Sequence, residues 1–228
     1  MNGILLVNKP SGWTSFDVVA KVRGIVKRET GLKKPKVGHT GTLDPLATGL
    51  MIIVVGSYCK RAQEFSKLDK TYQVSVKVGQ NSTTGDEEGD KTTISTQMPS
   101  LANIKAVIEQ FIGDVSQVPP AYSAIKINGQ RAYSLARAGK EVILQPRNVK
   151  IYEITDMIYN YPDLIFTSRV SSGTYIRSLV NDIGEALGTG AYMTDLCRLS
   201  VGKWDIGQSV QVNELNSEIV RSNILEIA

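Results

Sequence analysis

The apolar residues of this chain change repeatedly between the alternating spacing of a strand and the wider spacing of a helix, and this pattern limits the folds open to it. Early in the chain, a helix is predicted over residues 14–31, with Thr14 or Ser15 as its N-cap and Gly31 as its stop. Strands are predicted on both sides of that helix, at 3–9, 50–56 and 70–79.

The same change of spacing continues in the second half of the chain. A helix capped by Ser100 is predicted, with Leu101, Ile104, Val107, Ile108 and Phe111 on its apolar face. Residues 149–161 and 163–172 predict a hairpin, and a helix, a strand and a short helix follow at 178–188, 197–206 and 213–222. Because hairpins outnumber the crossovers that parallel strands need, the sequence predicts an α+β fold.

Size and composition are those of a soluble globular protein. The 228 residues suffice for one large domain with a real core, and no apolar run approaches the roughly 20 residues of a membrane span. The N-terminus lacks the basic start and apolar core of a secretion signal. Two cysteines, Cys59 and Cys197, are therefore expected as reduced thiols, and the expected location is the cytoplasm.

Positive charge is concentrated in two stretches of a chain whose net charge is only +4. Residues 21–36 hold seven cations against Glu29, and residues 126–150 hold six against Glu141. Such clusters indicate a surface that faces a polyanion, but a solvated helix face and a solvated loop explain them equally well.

The loop GHTGTLDPLATG, at 38–49, carries the sole histidine of the sequence, His39, together with Asp44. No Cys/His cluster has zinc spacing, no phosphate-binding glycine motif is present, and a Ser/His/Asp triad fits this local pair poorly. Asp44 could be a covalent nucleophile if a nearby cation kept it ionised. The alternative is that Asp44 caps a helix that starts at Pro45, with His39 as an ordinary turn residue.

Five segments, in order, resemble the TruB family of tRNA pseudouridine synthases. The segment GHTGTLDPLATGLMIIVVG resembles the family's catalytic motif almost residue for residue, and LLVNKPSGWTSFDVV resembles its N-terminal motif. The matching segments are 5–19, 38–56, 70–79, 113–139 and 171–191, which together extend over nearly the whole chain.

The resemblance implies the pseudouridine synthase fold, with a central mixed, mostly antiparallel sheet flanked by helices and an RNA-clamping thumb at about 121–150. It also implies that no cofactor is needed, because the substrate supplies both halves of the reaction. Asp44 would be the nucleophile, Tyr72 would stack on the flipped base and remove the C5 proton, and Arg177 would pair with Asp44. The implied reaction breaks the glycosidic bond of uridine 55 in the T-arm of tRNA and rejoins the base through C5.

Further substrate contacts follow from the same resemblance. His39 would fill the space that the flipped base leaves, and Leu196 would line the pocket. The remaining implied contacts are Lys9, Thr42, Lys60 and Tyr175 near the reacting nucleotide, and Lys126, Arg131, Arg137 and Arg147 on the thumb. The cations of 21–36 would extend this surface or form a plain solvated face.

The chain also departs from the family. Bacterial members usually continue into an RNA-binding PUA domain, whereas the expectation here is a single catalytic domain over 1–228 without one. Three places differ from the residues usual in the family: Tyr192, Cys197 and the segment 58–60. We expect these differences to affect the affinity or specificity for RNA and not the type of reaction. A tRNA-folding chaperone is the alternative function, and a guide-RNA-dependent subunit is a third. We expect a monomer that binds tRNA without a guide RNA.

Overall fold

A computed structural model describes residues 1–123, 125–127, 129–140 and 142–227, with the backbone alone at Lys126 and Arg131. The contacts divide the chain into a first unit, Met1–Gln73 with Leu196–Ala228, and a second unit, Val74–Asp195. The strands are β1 (Gly3–Lys9), β2 (Val37–His39), β3 (Thr48–Val55), β4 (Lys70–Val78), β5 (Gln80–Ser82), β6 (Lys91–Thr93), β7 (Gly113–Gln117), β8 (Lys126–Ile127), β9 (Gln130–Arg131), β10 (Arg147–Asn160), β11 (Asp163–Val170), β12 (Ala191–Val201), β13 (Trp204–Asp205) and β14 (Val210–Gln211). The α-helices are α1 (Ser15–Thr30), α2 (Ala62–Ser66), α3 (Leu101–Glu109), α4 (Ala132–Arg137), α5 (Ile176–Ala186) and α6 (Ser217–Asn223).

The first unit is built around β1 and β3, which pair antiparallel over the whole of β1. β1 also pairs in parallel with β14, and β3 pairs with β2 and, in parallel, with the end of β12. Their apolar side chains form a buried cluster of Ile4, Leu6, Leu50, Ile52, Val54, Phe65, Val201 and Trp204. This core fixes the strand ends from which the glycine-rich loop leaves.

Helix α1 shows why the local sequence forms the predicted element. Thr14 accepts a hydrogen bond from the Asp17 backbone while the Asp17 carboxylate accepts one from Thr14, which is a capping box. At the other end, Gly31 adopts a φ of 68°, the left-handed conformation that glycine takes without a Cβ penalty. The predicted helix, its N-cap and its stop are all confirmed.

In the second unit, β10 pairs antiparallel with β11 and with β7, and β4 lies beside β11 in the strand order. Helix α3 packs against α5. Small hairpins form from β5 with β6 and from β8 with β9. The predicted α+β fold, with a mixed, mostly antiparallel sheet flanked by helices, is confirmed.

Two predicted elements differ from those observed. Helix α3 ends at Glu109, before Phe111, and buries only Ile104 and Ile108 of its predicted apolar face. The predicted last strand is the end of β12 plus β13, a tight hairpin in which Val201 pairs with Trp204. The chain reverses there at Gly202, whose positive φ of 57° suits a turn and not a continuous strand.

Candidate active site

The loop between β2 and β3 carries Asp44 on irregular backbone. No helix follows Pro45, so the prediction that Asp44 is a helix cap is wrong. Instead, the Ala47 N–H donates to the Asp44 carbonyl at 3.1 Å and the chain enters β3 at once. A helix is excluded because Gly49 already pairs with Lys9 in the ladder between β3 and β1.

Two buried side chains hold the backbone on either side of Asp44. Ser15, the first residue of α1, accepts from the Leu43 N–H at 2.9 Å and donates to the Leu43 carbonyl at 3.0 Å. Lys9, at the end of β1, donates from Nζ to the Pro45 carbonyl at 3.2 Å. The half-buried Asp44 is thereby positioned by its neighbours, which is the preorganisation that a reacting group needs.

Lys9 is fully buried, at 0% exposure, and its ammonium also donates to the carbonyls of Pro10 and Trp13, at 2.9 and 2.7 Å. Burial lowers the pKa of Lys9 from 10.5 to about 8, against the opposing effect of the Asp44 carboxylate. These bonds use the donors of the ammonium within the protein. Lys9 is therefore a positioning residue for the loop, and its predicted contact with the substrate stays a prediction.

Arg198 is a further positioning residue that the sequence analysis missed. It is 2% exposed, and it donates from Nε to the Leu50 carbonyl at 2.6 Å and from Nη2 to the Gly41 carbonyl at 3.1 Å. Its charge contributes to lowering the pKa values of Lys9 and His39. The spacing in the sequence could have indicated this residue. Arg198 stands two residues after Leu196, so on a strand both side chains lie on the same face, here that of β12.

His39 ends β2 and is half-buried. Its ring meets Phe16 edge-on, with ring centroids 5.5 Å apart. Burial, aided by the charge of Arg198, lowers the pKa of His39, which favours the neutral imidazole. A neutral aromatic ring at the edge of this loop is suited to stacking on a base.

The other predicted residues of the first unit are Tyr72 on β4, Leu196 on β12, Thr42 in the loop and Lys60 in a 3-10 helix at Gly56–Arg61. Tyr72 is 8% exposed and lies on the buried face of β4, and Leu196 is also 8% exposed, with its carbonyl accepting from the Thr48 hydroxyl at 3.5 Å. Thr42 and Lys60 are exposed. The predicted roles of all four stay predictions.

In the second unit, Arg177 is the second residue of α5 and is 6% exposed. Nη1 forms an ion pair of 3.3 Å with Asp86 and donates to the Thr84 carbonyl at 3.1 Å, while Nη2 donates to the Tyr122 carbonyl at 2.7 Å. The acidic segment 83–90 therefore helps to hold this arginine. The predicted pairing of Arg177 with Asp44 stays a prediction.

The start of α5 is fixed by an amide. Gln117, buried at the end of β7, accepts from the Tyr175 N–H at 2.8 Å and donates to the Tyr175 carbonyl at 3.0 Å. This bidentate contact takes the place of a side-chain cap, since Tyr175 itself makes none. No local pattern in the sequence indicates this role of Gln117, because its partner lies 58 residues away.

The predicted thumb contains the hairpin of β8 and β9 and the short helix α4. Arg137 is exposed and places its guanidinium 5.5 Å from the centre of the Tyr133 ring, and Arg147 is exposed at the start of β10. The side chains of Lys126 and Arg131 lie outside the described part of the chain.

The residues that the structure describes hold neither a metal-binding cluster nor a membrane-spanning helix. Within 1–123, 125–127, 129–140 and 142–227, no group of three His, Cys, Asp or Glu side chains is placed to hold a metal ion. In the same ranges, no helix combines the length and the apolar character that crossing a membrane requires.

The sequence matches a known family over most of its length. Residues 27–176 match the family described as "TruB family pseudouridylate synthase (N terminal domain)", and residues 177–226 match the "tRNA pseudouridylate synthase B C-terminal domain". The chain belongs to the TruB family of pseudouridylate synthases, which are isomerases.

Individual relatives agree with this assignment. The chain is 43% identical over 227 residues to the tRNA pseudouridine synthase B of Clostridium novyi (strain NT), covering 100% of this chain and 76% of that protein. It is 44% identical over 200 residues to the protein of the same name in Bacteroides fragilis (strain YCH46), and the match covers 87% of this chain and 86% of that protein. Among solved structures, the chain is similar to a protein in the "Crystal Structure of a Cbf5-Nop10-Gar1 Complex", with a TM-score of 0.71 and 27% sequence identity. The match covers 93% of this chain and 53% of that longer chain.

Proposed function

We propose that this protein converts uridine 55 in the T-arm of tRNA to pseudouridine. The observation that carries the proposal is the Asp44 loop, which Ser15 and Lys9 hold on both sides in a chain of the TruB family. The relatives in C. novyi and B. fragilis are named tRNA pseudouridine synthase B, which supports tRNA as the substrate. A tRNA substrate would place the protein in the cytoplasm, where we expect it to act as a monomer without a guide RNA.

The proposed chemistry is an isomerisation in which every non-hydrogen atom of the substrate is retained, while C5 loses one proton and N1 gains one. Asp44 initiates cleavage of the bond between N1 of the base and C1′ of the ribose, the base turns, and C5 forms the new bond to C1′. The hydrogen at C5 then leaves as a proton, with Tyr72 as the base that removes it. Arg177 pairs with Asp44 in this proposal and keeps the carboxylate ionised.

The target base must leave its stack before the reaction, at a cost of a few kcal/mol. We assign His39 to the space that the base vacates. Its contact with Phe16 and its lowered pKa support this role, because a held, neutral ring can replace the lost stacking. The exposed Arg137 and Arg147 of the thumb would contact phosphates of the folded stem-loop.

The test is tritium release from a tRNA transcript labelled at C5 of its uridines, because isomerisation frees that hydrogen. Wild-type protein should release one tritium per tRNA, and Asp44→Asn should lower the rate by roughly 10⁴-fold or more while RNA binding persists. A transcript with cytidine at the T-loop target should release none. Release that persists with Asp44→Asn would remove Asp44 from the reaction, and binding without release by folded wild type would instead support an RNA chaperone.

A further inference from the structure

A groove of about 800 Å³ lies in the first unit, between α1 and the segment that leads into β2. Five cationic side chains line it, and all five are exposed: Arg23, Lys27, Lys33, Lys34 and Lys36. Among the described residues, no acidic side chain lines the groove. All five belong to the basic stretch 21–36, and the fold brings its helical part and the segment that follows the helix to one concave surface.

The floor of the groove is apolar and its position is fixed. Val54 of the strand β3, Cys59 and Ala62 contribute to the lining. Arg23 donates from Nη2 to the Val37 carbonyl at 3.0 Å, which ties α1 to the strand β2. Arg23 and Lys27 therefore lie on a helix that is tied to the sheet, and Lys33, Lys34 and Lys36 lie on the irregular segment that leads into β2.

The groove reaches the loop that carries the proposed chemistry. Gly38 and His39, the first two residues of that loop sequence, are both part of its lining. An RNA strand whose base is replaced by His39 must continue away from that ring along the protein surface. A groove of positive side chains whose lining includes His39 matches the spaced negative charge of such a strand.

A plain solvated face does not account for this arrangement. Exposed like charges gathered on one concave surface repel one another, and an anion bound between them relieves that repulsion. On a convex helix face the same lysines would spread apart into solvent. The concave shape therefore favours a polyanionic ligand.

We propose that this groove, lined by Arg23, Lys27, Lys33, Lys34 and Lys36, binds the phosphate backbone of the substrate RNA next to the flipped nucleotide. The proposal rests on the proposed function for the identity of the RNA and for the role of His39. It adds a second phosphate-binding surface, formed by the first unit, to the thumb of the second unit. Its contacts are to phosphates, so they contribute affinity and orientation and carry no sequence information.

The test compares two triple variants that each remove three positive charges and each change one residue in the last turn of α1. The groove variant is Lys27→Ala/Lys33→Ala/Lys34→Ala, and the control is Arg28→Ala/Lys67→Ala/Lys105→Ala, whose residues are exposed and outside the groove. Binding of a T-arm stem-loop RNA is measured from 0.05 to 0.3 M salt. The groove variant should lower the slope of log K against log salt by about 3 and weaken binding on the order of 100-fold at 0.1 M salt.

Three further results decide between the explanations. A Lys27→Arg/Lys33→Arg/Lys34→Arg variant should keep the wild-type salt slope of binding, because the positive charges remain. Circular dichroism should show the same folded state for this variant and for the alanine variant. Equal slopes for the groove and control variants would overturn the proposal and would favour an acidic protein as the occupant of the groove. Because binding needs no chemistry, a groove-dependent slope in a protein that releases no tritium would support the groove and reject the proposed function.

Discussion

At the scale of single residues, the position of Asp44 depends on hydrogen bonds to the two residues beside it. Ser15 satisfies both the N–H and the carbonyl of Leu43, and Lys9 satisfies the carbonyl of Pro45. Ser15, Leu43 and Lys9 are buried, so water cannot replace a lost partner there without rearrangement, whereas Pro45 is exposed and its carbonyl also accepts from the Gly12 N–H at 2.8 Å. Removing either side chain should cost stability and, through the loop, catalytic rate.

The substitution Ser15→Ala should lower the free energy of unfolding by about 1–3 kcal/mol, because it leaves the buried Leu43 N–H without an acceptor. It should also lower kcat/KM by roughly 10- to 100-fold, since Asp44 loses one of its two anchors. Urea denaturation and tritium release measure the two effects. The exposed Ser11→Ala serves as the control and should change neither, whereas Ser15→Thr should restore much of the rate.

Lys70 gives a pH-dependent stability. Its ammonium is buried, at 7% exposure, and donates to the Ser66 and Leu68 carbonyls. Burial lowers its pKa from 10.5 to about 8, so between pH 8 and 10.5 the unfolded chain binds more protons than the folded one. The stability contributed through Lys70 must then rise with pH across that window, by up to about 1.4 kcal/mol per pH unit.

The variant Lys70→Met should remove this contribution. Urea denaturation of wild type from pH 7 to 10 should show a steeper rise in unfolding free energy than that of Lys70→Met. The exposed Lys67→Met is the control and should keep the wild-type slope. A Lys70→Met slope equal to wild type would mean that Lys70 titrates in the folded protein as it does in the unfolded chain.

At the scale of elements, the close approach of β3 and β12 depends on Gly49. Its φ is +105°, and a Cβ built there would lie 2.3 Å from the Arg198 carbonyl oxygen and 2.6 Å from the Arg198 nitrogen. Backbone atoms cannot move aside as the end of a side chain can. The glycine therefore permits the strand contact that also brings Arg198 to the Gly41 carbonyl.

The substitution Gly49→Ala should destabilise the protein by roughly 3 kcal/mol or more, because the added methyl group combines backbone strain with a clash against β12. The control is Gly12→Ala, at a φ of +80° with no atom within 4 Å of the added Cβ, which should cost only about 1 kcal/mol of strain. Urea midpoints compare the two. Similar costs at both positions would show that β3 and β12 can separate without loss of stability.

At the scale of the whole molecule, the proposal divides the work between chemistry and RNA binding. Asp44, His39 and Tyr72 are placed by the first unit, and Arg177 and the thumb belong to the second. If the thumb contacts phosphates alone, its exposed arginines should affect the binding of tRNA and leave the chemical step unchanged. Kinetics can separate these two effects.

The double variant Arg137→Ala/Arg147→Ala should raise KM for tRNA roughly 10-fold at 0.1 M salt, leave kcat within about twofold, and lower the salt slope of binding by about 2. Tritium release over a range of tRNA concentrations measures the first two quantities. The matched control is Lys67→Ala/Lys105→Ala, two exposed lysines away from the thumb. A fall in kcat with unchanged KM would instead assign the thumb to the reaction itself.

Local sequence determined the elements of this protein. Apolar spacing predicted β1, α1, β3 and β4, and the helix α1 begins and ends at its predicted caps because both caps act on backbone within the same few residues. The motif around Asp44 likewise identified the family, which the comparisons confirmed. Such signals can be read from the sequence because the interacting groups are close together in the chain.

Tertiary structure decided which side chains support Asp44 and where the charges converge. Arg198 reaches Gly41 across 157 positions and Arg177 reaches Thr84 across 93, so no local pattern announces either contact. Even the helix signal at Asp44-Pro45 was overridden, because the ladder from β3 to β1 begins five residues later at Gly49. Burial and pairing between distant segments depend on the assembled core, and only the fold determines which distant segments meet.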